Sequence, residues 1–293
     1  MSNPQIGRVL IIAGSDSSGG AGIQADIKAC AAFGAYSMTA VTALTAQNTQ
    51  GVTRVDLVSP EMVRAQINAC VEDIGVDVIK IGMLGSAAII ETVYEAIEPL
   101  DATIVLDPVM VATSGDKLLE DDAIKALKDK LIPISDLVTP NVPEAELLSG
   151  LSVADVDDLS KAGEALLEMG AYSALMKGGH LDMKSVVDVL VSEEGTSIMS
   201  GPRLYTRHTH GTGCTLASAT AAALSLGANL DEAVSSARDY VFEAIRTAPK
   251  LGHGNGPLNH GLAVTSQSEQ PGSEDGDDPD PANPFAALKG MGS

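Results

Sequence analysis

The sequence predicts an α/β fold in which a mostly parallel sheet carries helices on both faces. The main observation is that short, continuous apolar runs alternate along the chain with segments of helical periodicity. Residues 8–13 (RVLIIA) form the first such run, and an unbroken apolar run is typical of a strand that is buried on both faces of its sheet. The chain has 293 residues, 45% of them hydrophobic, and is therefore long enough to bury a large core.

Each further element follows from its own pattern. Residues 23–33 are predicted to form the first helix, because Ile23, Ile27, Cys30 and Ala31 fall on one helical stripe. Apolar runs predict strands at residues 39–45, 52–58, 76–81, 103–106, 137–139, 174–176 and 186–191. Helical patterns predict helices at residues 60–73, 87–97, 121–131, 144–148, 156–169, 214–226 and 230–247.

A single shift in composition divides the chain. Residues 266–293 hold six acidic residues and four prolines but few apolar side chains. Such a segment cannot bury enough apolar surface to offset the entropy that ordering costs. We therefore predict a folded domain at residues 1–265 and a disordered acidic tail at residues 266–293.

The net charge of the chain limits the classes of partner that it can bind. Acidic residues outnumber basic ones by 39 to 18, which gives a formal net charge of −21. Binding to nucleic acid or to an anionic membrane needs a basic surface, so neither is expected. Phosphate binding is compatible with the charge, because backbone N–H groups can supply it. No signal peptide or membrane span is visible, and the three cysteines are expected to be free thiols, so the prediction is a cytoplasmic protein.

The first glycine-rich loop, residues 13–26 (AGSDSSGGAGIQAD), leads from a strand into a helix, where ligands of open α/β sheets bind. It does not match a P-loop, because Ile23 and Gln24 follow Gly22 where lysine and a hydroxyl residue are required. A dinucleotide fingerprint fits poorly as well, because its first glycine, Gly20, lies too far beyond the strand.

The second glycine-rich loop, residues 209–215 (THGTGCT), opens a helix of small residues. Consecutive N–H groups at Gly211, Thr212 and Gly213, together with the helix dipole, can bind a transferring phosphoryl group. Cys214 lies in the first turn, where the helix N-terminus is expected to lower the pKa of its thiol. The simpler alternative is that Cys214 is a small buried residue.

Two further loops carry polar groups at strand ends. Thr139, Asn141 and Glu144 offer a hydroxyl, an amide and a carboxylate, which suit a hydrated magnesium ion. Lys177 ends a strand and can reach a phosphate. Taken separately, each is more simply a helix cap or a solvated lysine, but together they fall on one edge of the predicted sheet.

Seven motifs in this sequence resemble those of a known family. They are AGSDSSGGAGIQADIKA, TALTAQNT, KIGMLGS, LDPVMVATSGDKLL, TPNVPEAELL, MKGGH and HGTGCT, and they occur in the order found in the hydroxymethylpyrimidine/phosphomethylpyrimidine kinases of thiamine biosynthesis. The resemblance covers residues 8–248. It implies a ribokinase-like three-layer sandwich and the use of ATP and Mg²⁺. It also implies two successive phosphorylations of 4-amino-5-hydroxymethyl-2-methylpyrimidine, first to the monophosphate and then to the diphosphate.

The resemblance also implies roles for individual residues. Gln47 is expected to read the aminopyrimidine edge, because an amide can donate to a ring nitrogen and accept from an exocyclic amine. The other implied substrate contacts are Asp26, Gly14, Met83 and Thr45. Implied ATP contacts are Thr139, Asn141, Glu144, Lys177 and Asp107, with Glu144 and Asp107 nearest the metal, largely through water and phosphates. The implied catalytic group is Gly211, Thr212, Gly213, Lys177 and Cys214, which stands where sugar kinases of the superfamily carry an aspartate.

Two other functions stay open. A pyridoxal or pyridoxamine kinase of the same superfamily is one, although Gln47 favours the aminopyrimidine. The other is a non-catalytic metabolite-binding relative, against which the retention of Lys177, the GTGC loop and TPNVPE argues. A homodimer is expected only by analogy with related enzymes. Residues 15–22 and 112–117 are the candidates for a loop that closes over the site.

Overall fold

One nine-stranded sheet organises the computed structural model, which describes residues 6–110 and 119–262. Its order is β3-β2-β1-β4-β5-β6-β7-β8-β9. The strands are β1 (Arg8–Asp16), β2 (Tyr36–Asn48), β3 (Gly51–Leu57), β4 (Val78–Ile81), β5 (Thr103–Leu106), β6 (Leu137–Val138), β7 (Ser173–Lys177), β8 (Ser185–Ser192) and β9 (Gly195–Pro202). The six neighbouring strands β2, β1, β4, β5, β6 and β7 are parallel to one another. At the two edges of the sheet, β3 pairs antiparallel with β2, β8 pairs antiparallel with β7, and β9 pairs antiparallel with β8. The predicted mostly parallel sheet is therefore confirmed.

Helices cover both faces of this sheet. They are α1 (Gly22–Phe33), α2 (Pro60–Asp73), α3 (Ala87–Ile97), α4 (Asp121–Ala126), α5 (Val142–Ser149), α6 (Val156–Glu168), α7 (Thr212–Ser225) and α8 (Leu230–Arg246). One apolar core packs α2 to α6 against the sheet, and a second core packs α1, α7 and α8 against the opposite face. The result is the three-layer sandwich that the sequence predicts.

The predicted boundaries differ from the observed ones in a few places. The bounds of α2, α3 and β5 agree with the prediction. The single helix predicted at residues 121–131 is instead α4 followed by a π-helical turn at Leu127–Leu131. β9 was not predicted, because its residues are mostly exposed and lack an apolar run.

The order of the strands creates the ligand-binding edge. β1 lies between β2 and β4. The chain therefore adds β2 and β3 on one side of β1 and then crosses to add β4 and the later strands on the other side. Ligands of open α/β sheets bind beyond the carboxyl ends of the strands at such a point. The loops after β1, β4, β5, β6 and β7 meet the start of α7 there.

Some sequence expectations concern residues outside this description. The acidic tail at residues 266–293 and the candidate closing loop at residues 112–117 both lie outside the described residues. Within residues 6–110 and 119–262, no helix has the length and apolar character that a membrane crossing requires.

Candidate active site

A cavity of about 880 Å³ lies beyond the carboxyl ends of the central strands. All the site residues expected from the sequence line it, apart from Asp26 and Thr139. Those that line it are Gly14, Thr45, Gln47, Met83, Asp107, Asn141, Glu144, Lys177, Gly211, Thr212, Gly213 and Cys214. The sequence motifs therefore converge on one space.

The start of α7 forms one wall of the cavity. Gly211 precedes the helix with φ of 84°, a left-handed conformation that favours glycine. The N–H of Thr212 donates to the carbonyl of Thr209 at 3.2 Å, so this group is already bonded. Gly213 and Cys214 belong to the first helical turn, where N–H groups lack intrahelical acceptors. The anion-binding donors are therefore better assigned to Gly213 and Cys214 than to Thr212.

An ion pair lies directly against this helix start. Nζ of Lys177 is 2.9 Å from Oδ1 of Asp107, and the Thr139 hydroxyl donates to the same oxygen at 3.1 Å. A Cβ at Gly213 would lie 3.1 Å from Nζ of Lys177, so glycine allows the ammonium to approach the helix. Burial acts to lower the pKa of Lys177, but Asp107 and Glu144 outweigh it and raise the pKa. Lys177 is therefore a cation facing the cavity.

Thr139 does not line the cavity as expected. It is fully buried, and its hydroxyl bonds to Asp107. Burial acts to raise the pKa of Asp107, but Lys177, Lys80 and the hydrogen bonds from Lys177 and Thr139 hold it below its ordinary value. Thr139 thus orients an ionised Asp107 rather than contacting a ligand itself.

Asn141 and Glu144 are held together by a capping box at the start of α5. The side chain of Asn141 accepts the N–H of Glu144 at 3.0 Å, and the Glu144 carboxylate accepts the N–H of Asn141 at 2.8 Å. Glu144 is only 5% exposed, and this burial raises its pKa to about 7, although Lys177 acts in the opposite direction. A cation bound beside this carboxylate would favour its ionised form.

The expected lowering of the Cys214 pKa is wrong for this structure. Burial raises the pKa of the thiol to about 12, even though Lys80 and a hydrogen bond from the Gly22 backbone act to lower it. The neighbouring carboxylates of Asp26 and Asp107 add to the increase. At neutral pH the thiol is protonated.

Asp26 lies behind the cavity wall instead of facing a substrate. It is fully buried, and its two oxygens are 3.0 and 3.1 Å from Nζ of Lys80. The Ser218 hydroxyl of α7 donates to the same carboxylate at 2.7 Å. Lys80 is the residue of this cluster that lines the cavity. The expected substrate contact of Asp26 is therefore replaced by a structural tie between α1, β4 and α7.

Residues of β1, of β2 and of the loop after β4 form another part of the cavity wall. A Cβ at Gly14 would lie 3.3 Å from Sδ of Met83, so these two residues lie in contact beside Gln47. The Thr45 hydroxyl lies 2.8 Å from the carbonyl oxygen of Ser15 and 3.1 Å from Oε1 of Gln47. Thr45 thereby fixes the orientation of the Gln47 amide.

Sequence reasoning missed several residues at this site. Lys80 is the charged residue of the otherwise apolar strand VIKI and begins the motif KIGMLGS, a signal that was not used to assign it to the site. His210 and Asp16 line the cavity, and Nε2 of His210 lies 2.8 Å from Oδ2 of Asp16. Arg203 also lines the cavity, and it donates to the carbonyls of Gly179, Leu181 and Met183. Only the spatial arrangement reveals these contacts.

No ready-made metal cluster is present in the part of the chain that the structure describes. No group of three or more histidine, cysteine, aspartate or glutamate side chains converges there in a way that could hold a metal ion by itself. The carboxylates that line the cavity belong to Asp16, Asp107, Glu144, Asp188 and Asp239, and among them Asp107 and Glu144 are the ones that raise the pKa of Lys177.

Known proteins resemble this chain over most of its length. The family model described as phosphomethylpyrimidine kinase matches residues 16–259. The hydroxymethylpyrimidine/phosphomethylpyrimidine kinase of Streptomyces coelicolor is 46% identical over 256 residues, which cover 87% of this chain and 95% of that protein. Bifunctional thiamine-biosynthesis proteins also match, and this chain spans about half of their length.

Solved structures agree in fold but divide between two activities. The ADP complex of Bacillus subtilis pyridoxal kinase has a TM-score of 0.82 and 35% identity, covering 88% of this chain and 98% of that one. The phosphomethylpyrimidine kinase of Clostridium difficile 630 has a TM-score of 0.74 and 42% identity, covering 82% of this chain and all of that one. With the family model matched over most of its length, this chain belongs to the phosphomethylpyrimidine kinase family.

Proposed function

We propose that this protein uses ATP to phosphorylate 4-amino-5-hydroxymethyl-2-methylpyrimidine and then phosphorylates the monophosphate to the diphosphate, for thiamine diphosphate biosynthesis. The observation that carries this proposal is that Gln47 lines the same cavity as the start of α7 and Lys177. An aminopyrimidine edge and a phosphoryl group need these two chemistries. Family membership supports the same substrate class.

The part of the cavity around Gln47 selects the pyrimidine ring. Because Oε1 of Gln47 already lies 3.1 Å from the Thr45 hydroxyl, the amide nitrogen is directed away from Thr45 and can donate to a ring nitrogen. Oε1 keeps a second lone pair for the exocyclic amine. Gly14 and Met83 lie in contact in the cavity wall and would supply apolar surface to the ring.

The part of the cavity around Lys177 stabilises charge. The first-turn N–H groups at Gly213 and Cys214 and the ammonium of Lys177 converge where the transferring group must pass. Charge spreads over the equatorial oxygens of that group, so fixed donors and a cation are the main requirement. The ADP complex of the pyridoxal kinase supports ATP as the donor here.

Mg²⁺ fits the residues present in this part of the cavity. Magnesium is commonly held by one or two carboxylates together with substrate phosphates and water. Glu144 supplies a nearly buried carboxylate whose pKa is raised to about 7 by burial, and a bound cation would favour its ionised form. Glu144 would hold the ion, with Asp107 close by, and the ion would neutralise charge on the phosphates.

Replacing Glu144 with glutamine is expected to raise the Mg²⁺ concentration needed for half-maximal activity by roughly tenfold, which is the effect of losing about 1.4 kcal/mol of binding. Glutamine can still accept the N–H of Asn141, so the capping box survives. Glu232 is a matched control, because it closes the corresponding capping box with Asn229 on α8. Magnesium titrations of Glu144→Gln, Glu232→Gln and wild type test this. Equal magnesium requirements in all three would remove Glu144 from the metal site.

Replacing Gln47 with methionine is expected to lower kcat/KM for the aminopyrimidine by roughly tenfold or more, because each unpaired buried polar group costs about 1–3 kcal/mol. The exposed Gln50, on the same hairpin, is the control, and Gln50→Met should behave as wild type. Steady-state kinetics with the pyrimidine alcohol check both. An unchanged kcat/KM in Gln47→Met would contradict the assignment of Gln47 to base recognition.

Pyridoxal is the second candidate substrate, and the similarity to pyridoxal kinase structures favours testing it. Competition between the two alcohols for limiting enzyme measures the ratio of their kcat/KM values directly. We expect the aminopyrimidine to be preferred at least tenfold, because pyridoxal lacks the amine that Gln47 would bind. A preference for pyridoxal would reverse the assignment. The homodimer and the cytoplasmic location stay predictions from the sequence.

A further inference from the structure

The glycine-rich loop at residues 15–22 has no part in the function proposed so far. It does not cradle phosphate as a P-loop, and it was a candidate for a closing lid. In the structure, hydrogen bonds hold this loop against two neighbouring segments. Its contacts run to the strand end that carries Gln47 and to the loop that begins α7.

Asp16 is the centre of this loop. Its carboxylate is almost completely buried and accepts hydrogen bonds from the backbone N–H groups of Ser18, Gly20 and Ala21 at 2.8, 3.2 and 2.8 Å, and also from the Ser18 hydroxyl. Burial acts to raise the pKa of Asp16, but these bonds and the one from His210 outweigh it and lower the pKa. Asp16 is therefore an ionised carboxylate that folds the loop around itself.

His210 joins this carboxylate to the anion-binding loop. Its Nε2 lies 2.8 Å from Oδ2 of Asp16, and both side chains are almost fully buried. The contact is close, because a Cβ at Gly20 would lie 2.5 Å from Cδ2 of the His210 ring. A Cβ at Gly211 would overlap the carbonyl oxygen of Gly20. The two glycine-rich loops are therefore packed backbone to backbone.

The same loop also holds Gln47. The Ser17 hydroxyl donates to the carbonyl of Gln47 at 2.8 Å and accepts its N–H at 2.9 Å. The Thr45 hydroxyl lies 2.8 Å from the Ser15 carbonyl oxygen and 3.1 Å from Oε1 of Gln47, so its single proton is shared between these two acceptors. A continuous series of contacts thus runs from Gln47 through Ser17 and Asp16 to His210 and Gly211.

We infer that Asp16 and His210 are a positioning pair that sets the distance between the bound pyrimidine and the phosphoryl-binding start of α7. This inference rests on the proposed function. Neither residue is required to touch the reacting atoms. Their effect is to keep the acceptor oxygen in line with the transferring group, and a displacement of about 1 Å can cost about 10²-fold in rate. When the acceptor is displaced, water reaches the phosphoryl group instead, and ATP is hydrolysed to ADP and inorganic phosphate.

Two amide substitutions at His210 test the pair. The amide nitrogen of His210→Gln occupies the place of Nε2 and can still donate to Asp16, whereas the shorter side chain of His210→Asn cannot reach it. The readout is the ratio of inorganic phosphate released to pyrimidine phosphorylated, which does not depend on the fraction of active enzyme. Tyr240→Phe is the control, because it removes a buried hydrogen bond between two residues, Tyr240 and His260, that do not line the cavity.

We expect His210→Asn to raise this ratio at least fivefold and to lower kcat by about 10–100-fold, with His210→Gln recovering most of both and pyrimidine affinity nearly unchanged. Tyr240→Phe should lower the melting temperature without changing the ratio. An unchanged ratio in His210→Asn, or equal behaviour of the Asn and Gln variants, would overturn the inference. A wild-type enzyme that phosphorylates no pyrimidine would overturn the proposed function and this inference with it.

Discussion

Replacing Lys177 with methionine is expected to slow both phosphorylations by about 10²–10³-fold, the usual cost of removing one preorganised group that stabilises transition-state charge. Lys177 lies 2.9 Å from Asp107 and beside Gly213, so it faces the transferring group in either step. Methionine keeps the volume of the side chain but removes its charge. Single-turnover rates for the alcohol and for its monophosphate measure the two effects separately.

The control for this substitution is Lys161→Met on the exposed surface of α6, which should leave both rates unchanged. Loss of Lys177 also leaves Asp107 without its cation, so the folded fraction of the variant must be measured by circular dichroism. The measured rates are then divided by the folded fraction. If the corrected rates stay within a few-fold of wild type, Lys177 serves only as the ion-pair partner of Asp107 and does not stabilise the transferring group.

Replacing Cys214 with alanine is expected to slow phosphorylation of the alcohol more than that of the monophosphate, and by a factor that grows with pH, because only the ionised thiol can act as a general base and burial leaves the thiol protonated at neutral pH. A primary alcohol benefits from a group that accepts its proton. The monophosphate presents an anionic oxygen that needs no base, so its phosphorylation should change much less. If both steps slow equally in Cys214→Ala, the thiol shapes the anion-binding site and does not act as the base.

The raised pKa of Cys214 adds a dependence on pH. Because the pKa is about 12, the thiolate fraction rises about tenfold for each pH unit in the range below that value. The rate of the alcohol step divided by the rate of the monophosphate step should therefore increase between about pH 7 and about pH 9 in wild type. Taking the ratio cancels ionisations that both steps share, including that of Glu144. A ratio with the same slope in Cys214→Ala would exclude the thiolate as the origin of the dependence.

Most of the fold could be predicted from the sequence, because buried strands and amphipathic helices leave local patterns. The apolar run of β1 and the helical stripe of α1 are examples. β9 left no such pattern, since its residues are exposed and it exists only by pairing with β8. The π-helical turn after α4 likewise changes hydrogen bonding without changing the apolar pattern.

The site could be predicted less completely, because its electrostatics depend on packing between distant segments. The motifs brought Gln47 and Lys177 to the cavity as expected. The family resemblance identified Asp26 as a site residue. It gave no sign that Asp26 forms an ion pair with Lys80, which is 54 residues away in sequence. For Cys214, the helix start favours a lower pKa, but burial of the thiol has the larger effect.

The proposed function requires that a single cavity carries out two successive phosphorylations of one aminopyrimidine. Phosphorus NMR of the wild-type protein with the pyrimidine alcohol, ATP and Mg²⁺ tests it most directly. A phosphate monoester is expected to appear first and then to be converted to a diphosphate in the same mixture, while ADP accumulates in step. ATP consumption without any pyrimidine phosphate, or a reaction that stops at the monoester even with excess ATP, would contradict the proposed function.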